Sequence, residues 1–318
     1  MRLRFLFIFL MASLLPAAQW VLIRTTDGAT VEGETSLGAV KLGSLAVKMD
    51  QVLSVHNAAE ASAAETAKIE AGLAAIQGTE RKARDLAVEE LTNIGVPVLT
   101  PLLKTLKDTD QHEPRPLYRL FERVMPSYGD GFERNMSLVR LKNGDVLRGT
   151  LGGGAVEVRK ADGGKTSVDW GKIRMLAVRQ RVVRKVIAVH SLRHCQQIEY
   201  LDTGIALTGA SKMDSTAKGF ARLSWNADVW ACDPDGLKKP AGGTYTSNLF
   251  AGQPFGALIG RIGAGGEVFF VGTKASKTGL PAGRLMLAVN DNRHWQNNLG
   301  TYTVNVAVSE AYDLGDAQ

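Results

Sequence analysis

Residues that commonly carry chemistry are scarce in this chain of 318 residues. Only two cysteines occur, Cys195 and Cys232, which excludes a scaffold held by many disulfides, although an oxidising compartment would allow one bridge between them. The sequence also lacks a Gly-x-Ser-x-Gly elbow, a phosphate-binding loop, a dinucleotide fingerprint and a zinc-protease motif. These absences predict that the protein is not an enzyme.

Histidine is also sparse, with five in the whole chain. His190 and His194 are four residues apart, but the Val-rich sequence around them predicts a strand, in which that spacing does not form a helical zinc-binding pair. We therefore expect surface or partly buried histidines at both positions.

Neither sign of charge dominates, because 38 basic and 32 acidic residues are well mixed and give a net charge of +6. This balance predicts no nucleic-acid partner. The densest basic run, residues 179–185, fits a strand with solvated charges beside a buried valine, and a polyanion-binding strip is the alternative.

Long apolar runs are missing except near the N-terminus. Basic residues at positions 2 and 4 precede an apolar run from Phe5 to Leu15 and a small Ala-Ala pair, the order found in secretory signal peptides. The run is short for a membrane span, which needs about 20 residues. We predict a signal peptide over residues 1–18 and a secreted or periplasmic protein without a membrane span after cleavage. A retained anchor is the alternative.

An internal repeat relates residues 21–33 to residues 137–149 at a constant offset of 116 residues. Both copies alternate apolar and polar residues, and each contains an Asp-Gly or Asn-Gly pair typical of a hairpin turn. The pattern predicts two modules of about five short strands, at residues 19–56 and 136–192. Each module resembles the Sm-like or SH3-like small barrel, and this resemblance implies a structural or protein-interaction unit.

Between the copies, residues 57–135 have apolar residues at helical spacing, such as Ile69, Leu73 and Ile76. A stretch from Ala83 onward, with a turn at Gly95-Val-Pro, resembles a HEAT-type helical hairpin. A single hairpin would have to pack on the barrels or on a protein partner. A plain helical insert is the alternative.

Residues 193–309 contain short alternating strands separated by Gly and Pro, which predicts a β-sandwich, and residues 310–318 are expected to form a frayed polar tail. The predicted fold class is therefore multidomain and mainly β. It comprises two small β-barrel-like modules with an α-helical insert, followed by a C-terminal lectin-like β-sandwich.

A loop between the last two predicted strands is dense in oxygen ligands. Asp291, Asn292, Asn297 and Asn298 offer one carboxylate and three amide carbonyls within eight residues. Such oxygens, completed by backbone carbonyls and water, are the ligands that calcium prefers. An ordinary turn without metal is the alternative.

Five segments in order, at residues 230–236, 255–263, 271–272, 289–291 and 297–300, resemble the calcium-dependent galactose-binding bacterial lectin of the PA-I type. The resemblance covers about 110 residues and implies one calcium ion bound by the side chains of Asp291, Asn297 and Asn298. It also implies two backbone carbonyl ligands, one near His294 and one at Cys232 or Asp233. Two sugar hydroxyls would then complete the coordination shell.

The sequence departs from that lectin pattern in two ways. The loop is one residue shorter than in that family, and residues 238–245 lack the His and Gln that bind the sugar in the galactose-binding lectin. We expect His294 and Trp295 to replace those contacts, with Trp295 stacking on a sugar face, although a rim residue packed on the loop is the alternative for Trp295. Asp235 either adds a carboxylate to the ion or belongs to a turn.

These observations predict an exported protein that recognises carbohydrate through calcium, with oligomerisation adding avidity. The alternative is a structural or adhesion protein in which calcium only stabilises the loop and the partner is another protein.

Overall fold

The computed structural model describes residues 18–108, 115–124, 136–195, 199–224, 230–237, 253–291 and 298–315. The predicted signal peptide lies outside these residues except for its last position, Ala18.

Each repeat copy forms five strands, as the alternating pattern predicts. The first copy contains β1 (Gln19–Thr25), β2 (Thr30–Thr35), β3 (Ala39–Leu42), β4 (Leu45–Lys48) and β5 (Val52–His56). The second contains β6 (Ser137–Leu141), β7 (Val146–Gly149), β8 (Ala155–Arg159), β9 (Lys165–Asp169) and β10 (Ile173–His190). In both copies a short 3-10 turn precedes the fifth strand.

The two copies exchange strands reciprocally. The first strand of each copy pairs with the fifth strand of the other, β1 with β10 and β6 with β5. Val21 and Ile23 of one copy therefore share a single apolar core with Val139 and Leu176 of the other. Residues 19–56 and 136–192 pack as one unit instead of two separate modules, because neither copy alone covers the apolar faces of its outer strands.

Two glycines that are equivalent in the repeat have different neighbours. A Cβ atom on Gly33 would lie 2.3 Å from the backbone oxygen of Arg159, where β2 approaches β8. A Cβ atom on Gly149 would lie 2.9 Å from the side chain of Leu42, which can move. The absence of a side chain is therefore needed more at Gly33 than at Gly149.

The segment between the copies is helical, with α1 (Ala63–Gln77), α2 (Arg81–Ile94), α3 (Leu99–Asp108) and α4 (Arg115–Val124). Gly95 ends α2 with φ of +76°, at the turn that the sequence predicts. The chain bends there by 115°. No single described helix is long and apolar enough to span a membrane, although α2 and residues 96–107 pass that test as a bent pair.

A buried ion pair attaches α1 to the barrel. Ser62 and Glu65 form a capping box at the start of α1, and the same Glu65 carboxylate accepts two hydrogen bonds from Arg174 of β10, at 2.6 and 2.7 Å. Arg174 also donates to the carbonyl of Glu60 at 2.7 Å. The helical insert is thereby fixed to the strand that links the two halves of the protein.

The C-terminal part continues the same sheet. Its strands are β11 (Leu201–Leu207), β12 (Met213–Arg222), β13 (Ala231–Cys232), β14 (Leu258–Ile262), β15 (Val268–Phe270), β16 (Lys274–Lys277), β17 (Gly283–Val289) and β18 (Leu299–Asp313). From Arg179 to His190, β10 pairs with β18, so the described strands of barrel and C-terminal part form one curled antiparallel sheet, except for β3 and β4, which pair with each other in a separate two-stranded sheet. The predicted mainly β class is confirmed.

Two predicted boundaries differ from the structure. The C-terminal core already includes Val183 and Ile187 of β10, upstream of the boundary at 192/193. The segment expected to fray after Ser309 continues as β18, and Tyr312 is buried and donates a hydrogen bond to Glu32 Oε1 of the barrel at 2.7 Å. Up to residue 315 this segment is therefore packed instead of frayed.

Helix α2 also docks on the C-terminal sheet through polar groups four residues apart. Asp85 forms an ion pair of 3.2 Å with Arg261, and the Glu89 carboxylate accepts a hydrogen bond of 2.6 Å from the backbone N–H of Ala264. Asn93, one further turn along, bonds to the same sheet. Barrel, helices and C-terminal sheet are thus joined by specific polar contacts as well as by apolar packing.

Candidate metal and ligand site

The base of the predicted ligand loop is formed by a buried carboxylate and a buried amide. Asp291 follows β17 and Asn298 precedes β18, and each is 1% exposed. Asn298 Nδ2 donates to Asp291 Oδ2 and also, at 3.1 Å, to the backbone carbonyl of Ser191. Both neighbours are acceptors, so the amide nitrogen must face them and the amide oxygen must point the other way.

The oxygen of that amide has an unmet requirement. Asn298 Oδ1 is buried and has no hydrogen-bond partner in the part of the chain that the structure describes. A buried acceptor without a donor costs about 1–3 kcal/mol. A cation bound on the side of the amide that Oδ1 faces would satisfy this oxygen, and amide and carboxylate oxygens such as those of Asn298 and Asp291 are among the ligands that calcium takes.

The middle of the loop is not described. Asn292, His294, Trp295 and Asn297 lie among residues 292–297, which are outside the described ranges. Within the described residues, no group of three or more His, Cys, Asp or Glu side chains could hold a metal ion. The proposed ligand set therefore depends on amide and backbone oxygens in addition to Asp291.

The turn that follows β13 lies close to the same place. Burial raises the pKa of the Cys232 thiol to about 11, and the carboxylates of Asp233 and Asp291 act in the same direction. The Asp233 and Asp291 side chains therefore both act electrostatically on this thiol.

The oxygens of Asp233 are already used within the protein. Its backbone carbonyl accepts hydrogen bonds from the Tyr302 hydroxyl and from the N–H of Gly236, both at 2.9 Å. Its Oδ1 accepts a hydrogen bond of 3.0 Å from the N–H of Asp235. The carbonyl of Asp233 is consequently a poor candidate for a metal ligand.

Asp235 belongs to a turn, which was one of its two predicted roles. Its carboxylate accepts hydrogen bonds from the backbone N–H of Thr273, at 2.6 Å, and from the Thr273 hydroxyl, at 2.9 Å. Gly272, with φ of +63°, leaves the space that this carboxylate fills, because a Cβ atom there would lie 2.5 Å from Asp235 Oδ1. The carboxylate is thus fixed by Thr273.

Tyr302 links three segments around the site and was not singled out from the sequence. Its hydroxyl lies 2.8 Å from the Gly256 carbonyl and 3.4 Å from Cys232 Sγ, in addition to the bond to Asp233. Burial raises the pKa of this phenol, so it stays protonated and can donate. Alternation in β18 marks Tyr302 as a core residue, and only the fold reveals its polar contacts.

The structure also describes the two cysteines and the pair His190 and His194, for which the sequence made predictions. Cys195 and Cys232 are not joined by a disulfide, so the bridge considered from the sequence is absent. The backbone N–H of His190 donates to His194 Nδ1 at 3.0 Å, and His190 Nδ1 lies 2.8 Å from the Thr301 hydroxyl. This arrangement agrees with histidines at the end of a strand.

Comparisons with known proteins assign no family. No family model matches the sequence, and no curated protein matches it. Among solved structures, the chain is similar to one described as the N-terminal domain of EclA, a PllA-like lectin, with 24% identity and a TM-score of 0.30. That match covers 40% of this chain and 96% of the other. Fold and site define a mainly β protein with a buried carboxylate–amide pair at the base of a C-terminal loop.

Proposed function

We propose that the protein is an exported carbohydrate-binding protein that holds one calcium ion in the loop between β17 and β18. The observation that carries the proposal is the orientation of Asn298, whose buried Oδ1 has no hydrogen-bond partner in the described part of the chain and lies on the amide bonded to Asp291. Asp291 would supply the charge and Asn298 a neutral oxygen. Calcium bound there would present open coordination positions that two adjacent sugar hydroxyls can fill.

The surrounding residues keep these two ligands in place before any ion binds. The Ser191 carbonyl fixes the Asn298 amide, and the neighbouring Asn290 donates to the carbonyls of Gln253 and Pro254 at 3.2 and 3.1 Å. Such positioning lowers the entropy lost on binding.

The rest of the proposed site comes from the loop itself. Asn297 would add a second amide oxygen and the backbone near His294 a carbonyl. Trp295 would offer an apolar ring to one face of the sugar, with Asn292 and His294 beside it. Since the His and Gln of the galactose-binding pattern are missing from residues 238–245, the proposal names the carbohydrate class and leaves the sugar open.

A glycan array probed with the full chain in calcium and in EDTA tests the proposal. We expect binding that EDTA abolishes and that Asn298→Ala removes, and we expect Trp295→Ala to weaken it. Calorimetric titration of calcium into the protein should give heat at millimolar concentration. Calcium binding without any glycan signal would instead support the structural or adhesion role, and no heat would refute the metal site. A melting shift alone does not separate these cases, because calcium stabilises in both by mass action.

A further inference from the structure

One face of the C-terminal sheet is open to solvent over four adjacent strands. The strands β10, β18, β12 and β16 lie side by side in that order. Their register aligns Val186, Asn305, Thr216 and Lys274 in one row across the sheet, and Val186 is 72% exposed. No described element covers this row. The face is therefore an available surface that the proposed calcium loop does not use.

A groove of about 580 Å³ runs across this face. Its size falls within the range of about 300–1,000 Å³ that is usual for ligand sites. The floor includes small or hydroxyl- and amide-bearing side chains, namely Ala307, Thr216, Ser276 and Asn305, together with the carboxylate of Asp214. Because regular strand pairing holds these groups, the groove exists before a ligand binds.

Basic side chains outnumber acidic ones along the groove. Arg184 lines it from β10 and Lys274 from β16, three strand spacings or about 14 Å across the sheet and two residues or about 7 Å along it. Lys218 lies exposed on the same face, two residues along β12 from the row that contains Thr216. Within the described residues no carboxylate forms an ion pair with these three groups. Asp214 is the acidic side chain of the groove lining, and it is paired with Lys212 at 3.3 Å. The groove therefore favours an anionic ligand.

We propose that this groove binds an acidic carbohydrate chain, such as one containing uronic acids, independently of the calcium loop. Carboxylates of the chain would pair with Arg184 and Lys274, and its hydroxyls would bond to Thr216 and Asn305 on the floor. An acidic protein surface fits less well, because the groove has one large exposed apolar side chain, Val186, and lacks the aromatic anchors that dominate protein interfaces.

The test measures binding of a short oligouronate to the full chain in EDTA, so that the calcium loop contributes nothing. The comparison ligands are the same oligosaccharide with its carboxyl groups reduced and a polyglutamate of equal charge. Arg184→Gln combined with Lys274→Gln removes both flanking charges, and Lys48→Gln with Lys165→Gln removes the same charge from exposed strands elsewhere. Ala307→Tyr fills the floor without changing any charge.

We expect oligouronate binding that weakens with salt, with little binding of the reduced sugar or of polyglutamate. The flanking double variant should bind at least about fivefold more weakly. Ala307→Tyr should abolish binding, and the control pair should leave it unchanged.

Three results would overturn the proposal: no oligouronate binding at low salt, equal losses in the flanking and control pairs, or polyglutamate binding as tight as that of the uronate. A wild-type dimer that Ala307→Tyr dissociates would assign the groove to a second copy and would overturn it as well. Loss of calcium-dependent glycan binding with retained oligouronate binding in EDTA would refute the proposed function and leave this proposal standing.

Discussion

Replacing Asn298 by aspartate changes a buried donor into a second buried carboxylate beside Asp291. The side chain keeps its shape but loses the N–H groups that bond to Asp291 Oδ2 and to the Ser191 carbonyl. Without a cation the variant must hold two like charges together or keep one of them protonated. With calcium, the second carboxylate becomes a stronger ligand than the amide it replaces. The substitution should therefore have opposite consequences in the two conditions.

The size of the effect without calcium follows from the lost contacts. A hydrogen bond to a charged group contributes about 1.5–3 kcal/mol, and the Ser191 carbonyl, left without its donor, costs about 1–3 kcal/mol more. Burying an unpaired charge next to Asp291 adds to this cost, because Asp291 is 1% exposed. We expect Asn298→Asp to lower the free energy of unfolding by roughly 3–5 kcal/mol in EDTA.

Urea denaturation followed by circular dichroism, in EDTA and in saturating calcium, measures this difference. Calcium should stabilise the variant more than it stabilises the wild type, so that the deficit shrinks by about half or more. Asn305→Asp is the matched control, because Asn305 lies exposed on β18, the strand that follows Asn298, and the substitution makes the same change of charge. Asn305→Asp should change the free energy of unfolding by no more than about 0.5 kcal/mol in both conditions. An equal deficit for Asn298→Asp with and without calcium would refute the metal site.

Three further predictions concern the barrel and its helical insert. Burial lowers the pKa of His56 from 6.5 to about 3, so between these pH values the unfolded chain binds a proton that the folded protein does not. The free energy of unfolding should therefore fall as the pH drops below 6.5, by at most about 1.4 kcal/mol per pH unit. His56→Gln should flatten this pH dependence in denaturation curves. Gly33→Ala should lower the free energy of unfolding by about 1–3 kcal/mol more than Gly149→Ala, because only the Cβ atom at position 33 would meet rigid backbone. Equal melting temperatures of the two variants would contradict this prediction. Glu65→Ala should lower the free energy of unfolding by about 3–5 kcal/mol, because it leaves Arg174 buried and unpaired. Adding Arg174→Met to the Glu65→Ala variant should recover part of that stability.

Local patterns in the sequence predicted the elements of the fold but not their partners. Period-two alternation and the Asp-Gly and Asn-Gly turns locate the strands of both copies, and Gly95 marks the end of α2. Pairing of β1 with β10 could not be inferred, because any apolar strand face would satisfy the same pattern. The boundary near residue 192 was misplaced for a related reason: β10 alternates without a break from one core into the next.

For the candidate site, the sequence identified oxygen-bearing residues but not the contacts that surround them. Asp291 and Asn298 stand out as oxygen ligands at the two ends of one loop, and the structure places them in contact. The contribution of Ser191 comes from a backbone carbonyl that follows β10, which no side-chain pattern reveals. Tyr302 looks like any core residue of an alternating strand. Contacts made by backbone atoms across distant strands depend on the fold alone.

The reciprocal exchange of strands between the repeat copies sets the order in which the protein can assemble. Val21 pairs with Val178 and Leu22 with Ala177, so β1 finds its partner only after more than 150 further residues of chain have been made. Neither copy can complete its core during synthesis until the other has emerged. Closing so long a loop slows folding far more than it lowers final stability, since the entropy of closure grows only with the logarithm of loop length. The docked helices lie within that loop. If they form early, they shorten the flexible loop that must close when β1 pairs with β10.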